Sequence, residues 1–258
     1  MNLKSKLLLA LLATSSAAFA QTAPAAETPE VTYNVGVVSQ YRYRGIAQTK
    51  GDPAVQGGID YANANGFYLG TWASTIKWIK DAKPDAGVSA AKGPVELDLY
   101  GGYKFEAAGL AYDVGYLRYE YVGNTYKDAS TANVNANTDE AYGAVTYGPA
   151  TLKYSYAFSD LFGYMNSRGS NYWDLSATFD LGNGYSLVPH VGRQTVKNAS
   201  GVSYNDVALT VNKDLGEGLS ASVAAIATNG NSTNFKNLSG TAYDASKSTL
   251  VVGVKYAF

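Results

Sequence analysis

Large apolar residues alternate with smaller or polar residues over the last nine positions of the chain. Every second residue counted back from the C-terminus is large and apolar: Phe258, Tyr256, Val254, Val252 and Leu250. The residues between them are Ala257, Lys255, Gly253 and Val251. Successive side chains of a strand point to opposite faces, so this pattern predicts a strand with one apolar face and one face that carries Lys255.

The same period of two recurs from residue 31 onward. In the first segment the apolar face carries Val31, Tyr33, Val35, Val37, Tyr41 and Tyr43, and Arg42 and Arg44 fall on the other face. Most segments have about ten residues, the length of a tilted strand that spans a membrane. The pattern predicts strands at 31–44, 54–62, 67–75, 94–103, 109–120, 139–147, 150–158, 172–181, 185–194, 204–213, 218–227 and 248–258.

Short and long connections alternate between these segments. Turns with Gly, Asn or Pro occur at 63–66, 106–109, 147–149, 182–184 and 214–218, and longer polar loops at 45–53, 76–93, 121–138, 159–171, 195–203 and 228–247. Outer-membrane barrels have short turns at one end, longer loops at the other and an even number of strands. We therefore predict an all-β fold, a membrane-spanning antiparallel up-and-down barrel of about 12 strands. The alternative, a soluble β-sandwich, has no reason to separate its loops by length. We expect loop 76–93 to be solvated.

The N-terminal region has the features of an export signal. Lys4 and Lys6 precede a short apolar stretch, and Ala18-Phe19-Ala20 forms an A-x-A-type cleavage site. Residues 1–20 are therefore predicted to be a cleaved signal peptide, and residues 21–30, rich in Ala, Pro and Thr, a flexible tail. Residues 31–258 would form a single barrel.

The last strand ends in the aromatic pair Tyr256 and Phe258. Amphipathic rings favour a membrane interface, and a final strand that ends in Phe resembles the assembly signal of bacterial outer-membrane barrels. Together with the signal peptide, this ending predicts a location in the outer membrane of a Gram-negative bacterium. The expected partners there are outer-membrane lipid, lipopolysaccharide and the barrel-assembly machinery.

The composition supports a barrel and excludes other classes. Only 16% of residues are charged, against about 25% in ordinary soluble domains, and the chain has 22 Tyr and 27 Gly. Many aromatic residues and glycines suit a barrel with aromatic girdles and tight turns. The chain has no Cys, which excludes disulfides and thiolate metal sites. A formal net charge of −1 gives no indication of nucleic acid as a partner.

If the larger apolar residues face lipid, the alternate residues face the lumen. Several carboxylates then fall near the long-loop end of the barrel, at about the level of two arginines. We predict a pore-lining set of Arg42, Arg44, Glu96, Asp98, Glu140, Lys153, Asp174, His190 and Asp206. The alternative is that these charges pair with one another and plug the lumen. Both are compatible with twelve strands, because about eight give a filled interior and 16–18 a wide channel.

The segment SQYRYRGIAQTKGDPAVQGGIDY at 39–61 resembles the N-terminal hallmark of the TorF-type porin family of proteobacteria. Segments 66–74, 96–103, 152–156, 172–177 and 190–193 also resemble that family, so the resemblance extends from about residue 31 to residue 258. It departs at Ala47, where a hydroxyl residue is expected. The resemblance implies an outer-membrane, porin-like barrel and implies little about the substrate.

These observations favour a channel for passive diffusion of small polar or charged solutes, without a cofactor or a bound metal. The first alternative is a plugged structural or adhesive barrel whose external loops bind a partner. The second is an outer-membrane enzyme, which most often needs a His base near a nucleophile. The chain has a single His, His190, with Asp174 and Ser176 on the neighbouring predicted strand, and this makes the enzyme the weakest of the three.

Overall fold

The computed structural model of the protein describes residues 29–238 and 243–258. The predicted signal peptide at 1–20 and residues 21–28 of the predicted tail lie outside the described residues and stay predictions. The described chain forms the strands β1 (Glu30–Val38), β2 (Arg42–Tyr43), β3 (Ile46–Ala47), β4 (Ala54–Ala62), β5 (Phe67–Thr75), β6 (Val95–Ala107), β7 (Leu110–Tyr121), β8 (Thr138–Tyr147), β9 (Ala150–Ala157), β10 (Asn171–Ala177), β11 (Phe179–Gly182), β12 (Tyr185–Thr195), β13 (Tyr204–Gly216), β14 (Leu219–Thr228) and β15 (Thr249–Ala257) and the helices α1 (Tyr126–Ala129) and α2 (Ser232–Leu238).

The wall of the molecule is a closed antiparallel barrel of twelve strands. β1 pairs with β15, and β10 pairs with both β9 and β12, so the described strands form a complete ring. β10 and β11 are two parts of one wall strand, whereas β2 and β3 pair only with each other. Closure satisfies the backbone groups that an open sheet would leave unpaired in hydrocarbon. The predicted fold is confirmed.

Large apolar side chains cover the outside of this wall. On β1, Val31, Tyr33, Val35 and Val37 are 42–51% exposed, and on the last strand Val252 and Val254 are about half exposed. The alternate positions point inward and are mostly polar. An exposed apolar band around a barrel with a polar interior is typical of a membrane-spanning β-barrel, where lipid covers the outer face. Neither helix in the described part of the chain is long and apolar enough to cross a membrane.

The first strand is shorter than predicted, and the residues after it enter the barrel. β1 ends at Val38, which pairs with Ala54, so residues 39–53 leave the wall. We call this segment the plug hairpin; β2 and β3 lie at its centre. Tyr41 and Tyr43, predicted on the lipid face, are instead 1% and 6% exposed inside the barrel. The prediction was wrong here because the alternation of large apolar and polar residues continues from β1 into the plug hairpin.

The long loop 76–93 also differs from its prediction. Ile76 and Ile79 are 2% and 0% exposed, and they belong to a buried apolar cluster with Tyr126 of α1. The expectation that this loop is solvated is therefore wrong for its first half. Burial of its apolar side chains away from water is favourable, and the neighbouring loop that contains α1 packs over them.

The same two loops are joined through one carboxylate. Asp85 accepts hydrogen bonds from the backbone N of Thr131 at 2.9 Å and from Ser130 Oγ at 3.0 Å. The bond from the Thr131 amide, followed by the bond from the Ser130 hydroxyl, stabilises the ionised carboxylate and lowers the pKa of Asp85.

We expect this contact to weaken in acid. A carboxylate whose pKa is lowered in the folded state adds stability above its unfolded pKa of about 3.9, and that stability is lost as the pH falls through the folded pKa. The protection factor of the Thr131 amide in hydrogen exchange should therefore stay constant down to about pH 5 and drop as the pH falls below about 4. The amide of Lys92 donates to the neutral Thr125 Oγ1 at 2.9 Å and serves as the control. Equal loss of protection at both amides would contradict the role of Asp85.

Candidate functional site

The plug hairpin crosses the lumen at the long-loop end and contacts the wall on several sides. Tyr41 Oη donates to Glu96 Oε1 on β6 at 2.7 Å, and Arg42 Nη1 donates to the carbonyl oxygen of Ala245 at 2.9 Å. The four residues 41–44 are only 1–6% exposed. The hairpin is therefore packed inside the barrel and narrows the lumen at this level.

A buried ion pair holds the tip of the hairpin to the opposite wall. Arg44 Nη1 and Nη2 donate to the two carboxylate oxygens of Glu140 on β8 at 3.0 and 2.7 Å. Arg44 Nη1 also donates to Gln194 Oε1 at 2.8 Å, and the guanidinium carbon lies 4.3 Å from the ring centre of Tyr172. The two charged side chains are 2% and 1% exposed. This bidentate geometry is the strongest form of ion pair that arginine makes.

The turn of the hairpin fits against the wall only because residue 45 is glycine. Gly45 has a φ of +78°, and a Cβ added there would lie 2.6 Å from Thr228 Cγ2 and 2.8 Å from Asp206 Cβ. Any side chain would force the turn away from β13 and β14. Gly45 thus fixes how deeply the hairpin sits.

The base of the hairpin is attached to loop 76–93. The backbone N atoms of Lys77 and Trp78 both donate to the carbonyl oxygen of Gln48, at 2.8 and 3.1 Å. Lys77 Nζ also hydrogen-bonds the carboxylate of Asp52, and this bond lowers the pKa of Asp52. The hairpin and the loop therefore form one assembly at the mouth of the barrel.

His190 lies beside the hairpin in a group of acids. Its Nε2 is 2.9 Å from Asp174 Oδ2 and 3.1 Å from Tyr172 Oη, and its Nδ1 is 3.6 Å from Asp206 Oδ1. Within the described residues its hydrogen bonds are with Asp174 and Tyr172, and none is with a serine hydroxyl. In the same part of the chain no three His, Asp or Glu side chains are placed to hold a metal ion. The two carboxylates and the Tyr172 hydroxyl therefore hold the imidazole ring of His190 in a fixed position.

Below the hairpin, tyrosine rings occupy the lumen over inward-facing glycines. Tyr68 is the cross-strand partner of Gly102, Tyr100 of Gly70 and Tyr142 of Gly115, and a Cβ on each of these glycines would lie 2.3–2.5 Å from the facing tyrosine. Glycine leaves the space into which the ring leans. The composition predicts girdles and turns for the many Tyr and Gly, and it does not reveal these inward pairs.

The same tyrosines bind lumen carboxylates that the sequence analysis did not select. Tyr68 Oη donates to Asp113 Oδ1 at 2.6 Å and also hydrogen-bonds Tyr142 Oη. Tyr100 Oη hydrogen-bonds Asp60, and Lys153 Nζ lies 3.9 Å from the ring centre of Tyr142. The signal that could have found this layer is an inward Tyr on one predicted strand next to an inward Gly on the neighbouring strand. These tyrosines form, with Asp60, Asp113 and Lys153, a second polar layer that lies nearer the short-turn end of the barrel.

Asp98 lies between the two layers in an unusual state. Its side chain is 1% exposed, and neither carboxylate oxygen has a hydrogen-bond partner among the described residues. Burying a polar group without a partner costs about 1–3 kcal/mol. An apolar residue at this position would make the folded barrel more stable, so the carboxyl group of Asp98 lowers the stability of the wall.

All nine residues predicted to line a pore lie inside the barrel. Glu96, Asp98, Glu140, Lys153, Asp174, His190 and Asp206 project inward from the wall, and Arg42 and Arg44 lie on the plug hairpin rather than at the end of the first strand. The structure brings Arg44 to Glu140, His190 to Asp174 and Asp206, and Arg42 to backbone carbonyls. Their role as pore-lining residues stays a prediction.

The predicted assembly signal lies at the short-turn end of the outer face. Tyr256 and Phe258 are 45% and 65% exposed, and their ring centres are 5.5 Å apart in a stacked arrangement. Tyr33 extends the stack, with its ring centre 5.7 Å from that of Phe258. These rings form part of an outward aromatic girdle, and their function in assembly stays a prediction.

The closed twelve-stranded wall, the apolar outer face and the polar lumen define a β-barrel with the architecture of porins. Residues 22–258 match the model of a bacterial protein family of unknown function, Gcw_chp, and the chain belongs to this family. This family assignment leaves the resemblance to TorF-type porins as a prediction. No curated protein matches the sequence.

Solved structures with a similar fold include two porins. The KdgM porin has a TM-score of 0.53 at 11% sequence identity, with 88% of this chain and 98% of the porin covered. The NanC porin has a TM-score of 0.52 at 11% identity, with coverage of 88% and 99%. A KdgM structure described as a complex with disordered oligogalacturonate matches with a TM-score of 0.52 at 10% identity, and 88% of this chain and 98% of that chain are covered. At such low identity the similarity concerns the fold alone.

Proposed function

We propose that the protein is an outer-membrane channel for passive diffusion of small polar or charged solutes, with the plug hairpin as its constriction. The observation that carries this proposal is the charged lumen, which continues below the hairpin. Asp60, Asp113, Lys153 and Lys255 all face the interior on the side of the short turns. Charged groups inside a barrel are expensive unless water or solute uses the path.

The location in the outer membrane is part of the same proposal. The exposed apolar band and the girdle at Tyr256 and Phe258 suit a lipid bilayer, and the fold is shared with porins. Outer-membrane lipid and lipopolysaccharide would contact this band, and the barrel-assembly machinery would recognise the last strand. Cleavage of a signal peptide at 1–20 would release the exported chain.

The charges of the lumen favour cations. Glu140 is neutralised by Arg44, whereas Asp174 and Asp206 share one imidazole. A surplus of carboxylates along a narrow path raises the local concentration of cations. Small positively charged or neutral polar solutes are therefore the proposed permeants.

The plugged barrel is the second candidate, and the burial of the hairpin favours it. Residues 41–44 leave little room at their level, and a permanently seated hairpin would make the protein structural or adhesive, with its long loops binding a partner. An enzyme is the third candidate and the weakest, because His190 faces acids and a tyrosine rather than a nucleophile.

The test is the single-channel conductance of the refolded chain in a planar bilayer. The channel proposal expects discrete and reproducible steps. A barrel that is inserted and folded but electrically silent would favour the plugged alternative.

A further inference from the structure

A cleft lined by aromatic side chains lies at the long-loop end, above the plug hairpin. Its cavity volume is about 110 Å³, and it is partly open to solvent. Nine of its lining residues are Phe, Tyr or Trp, contributed by the hairpin, the long loops with α1 and α2, and the ends of β7 and β13. We call it the aromatic cleft; Tyr43, Trp78, Tyr126, Phe162, Tyr204 and Phe235 mark its walls. An apolar cavity of about 150 Å³ can bind benzene, so a cleft of this size suits a single small ring.

The rings around the aromatic cleft stand edge to face. The ring centre of Trp78 is 5.3 Å from that of Tyr126, with the planes at 64°. Tyr204 and Phe235 are 5.5 Å apart at 88°. Aromatic rings attract one another in this geometry, because the positive edge of one ring meets the negative face of the next. An additional aromatic ring would find both edges and faces in the cleft.

The aromatic cleft carries almost no net charge. Its charged residues are Lys50 and Asp81, whose Nζ and Oδ2 atoms are 3.9 Å apart and offset each other. Burial raises the pKa of Tyr126 to about 12, so this phenol stays neutral at physiological pH. A charged ligand would lose its hydration without gaining a counter-ion.

We propose that the aromatic cleft is a binding site for a small, uncharged aromatic molecule. The edge-to-face ring walls and the balanced charges favour this class over sugars, which need many converging polar groups, and over charged solutes. The site lies above the hairpin, so binding does not depend on whether the lumen conducts. It goes beyond the proposed channel function.

The experiment is a fluorine NMR titration of 4-fluorophenol with the refolded protein in detergent micelles, with empty micelles to measure partitioning. We expect saturable broadening beyond that of empty micelles, with a Kd on the order of 1 mM or tighter for a ligand of this size. Phenol and benzyl alcohol should compete, and benzoate and benzylammonium should compete at least tenfold more weakly. No saturable binding, or equal competition by the charged compounds, would overturn the proposal.

Substitutions of residues that line the aromatic cleft test whether the ligand binds there. Trp78→Leu and Phe235→Ala should each weaken binding about tenfold or more, since each removes a ring wall. Trp173→Leu is the matched control, because Trp173 lies on the outer face of β10 with 47% exposure. Each variant is first checked for the electrophoretic mobility of a folded barrel. Unchanged affinity in a folded Trp78→Leu or Phe235→Ala chain would place the ligand elsewhere and contradict the proposal.

Discussion

Removing the plug hairpin will raise the permeability of the barrel several-fold. Val38 and Ala54 are cross-strand partners, so residues 39–53 can be replaced by a two-residue Asn-Gly turn without changing the register of β1 and β4. This removes the buried segment 41–44 from the lumen, and a twelve-stranded barrel then has an interior between that of small filled barrels and that of wide porins. The measurement is the swelling rate of proteoliposomes in iso-osmotic glycine.

The control for this variant shortens a different long loop. Residues 198–201 form an exposed tip between β12 and β13, and their replacement by Asn-Gly leaves the hairpin in place. Its swelling rate should equal that of the intact chain. If the chain without the hairpin swells no faster than this control although both are folded and inserted, the hairpin is not the constriction.

Replacing Arg44 by Met will release the hairpin from the wall. The change leaves Glu140 buried at 1% exposure without its counter-ion, and removal of one partner of a buried ion pair costs about 3–5 kcal/mol. The population of the released hairpin should then rise by a factor on the order of 10² to 10³. Trypsin cleavage after Lys50 reports this population, because proteolysis follows the fraction of chains in which a segment is open.

Two further variants show whether the ion pair is the cause. The double variant Arg44→Met with Glu140→Leu removes both charges, and its cleavage rate should return most of the way to that of the native chain. Arg118→Met breaks an exposed pair with Asp139, where the two side chains are 35% and 21% exposed, and it should change stability by less than about 1 kcal/mol. Cleavage in the double variant as fast as in Arg44→Met would show that the charge on Glu140 is not responsible.

The wall of the barrel could be predicted because the membrane constrains every residue of it. Alternation and turn length located β4 and β5 to the residue and the other long strands to within a few residues, apart from the end of β1. Lipid on one side and a polar lumen on the other impose the period of two. Successive connections of an up-and-down barrel lie at opposite ends, so short turns and long loops alternate along the chain. Each wall strand can therefore be located from its own segment of the sequence.

The plug hairpin could not be predicted in the same way. Residues 41–44 continue the alternation of β1, so the pattern cannot distinguish a longer wall strand from a hairpin that turns inward. What decides is contact between distant residues, such as Arg44 with Glu140, 96 positions apart, and the close fit of Gly45 against Thr228. The pairing of tyrosines with inward glycines likewise depends on register, which the composition alone does not reveal.

The central claim is that a polar path runs through the barrel and that the plug hairpin limits it. The most direct test records single-channel currents from the intact chain and from the chain without the hairpin under a salt gradient. The account predicts small steps for the intact chain, larger steps without the hairpin, and a reversal potential with the sign of cation preference in both. Silence from both folded and inserted chains would contradict it.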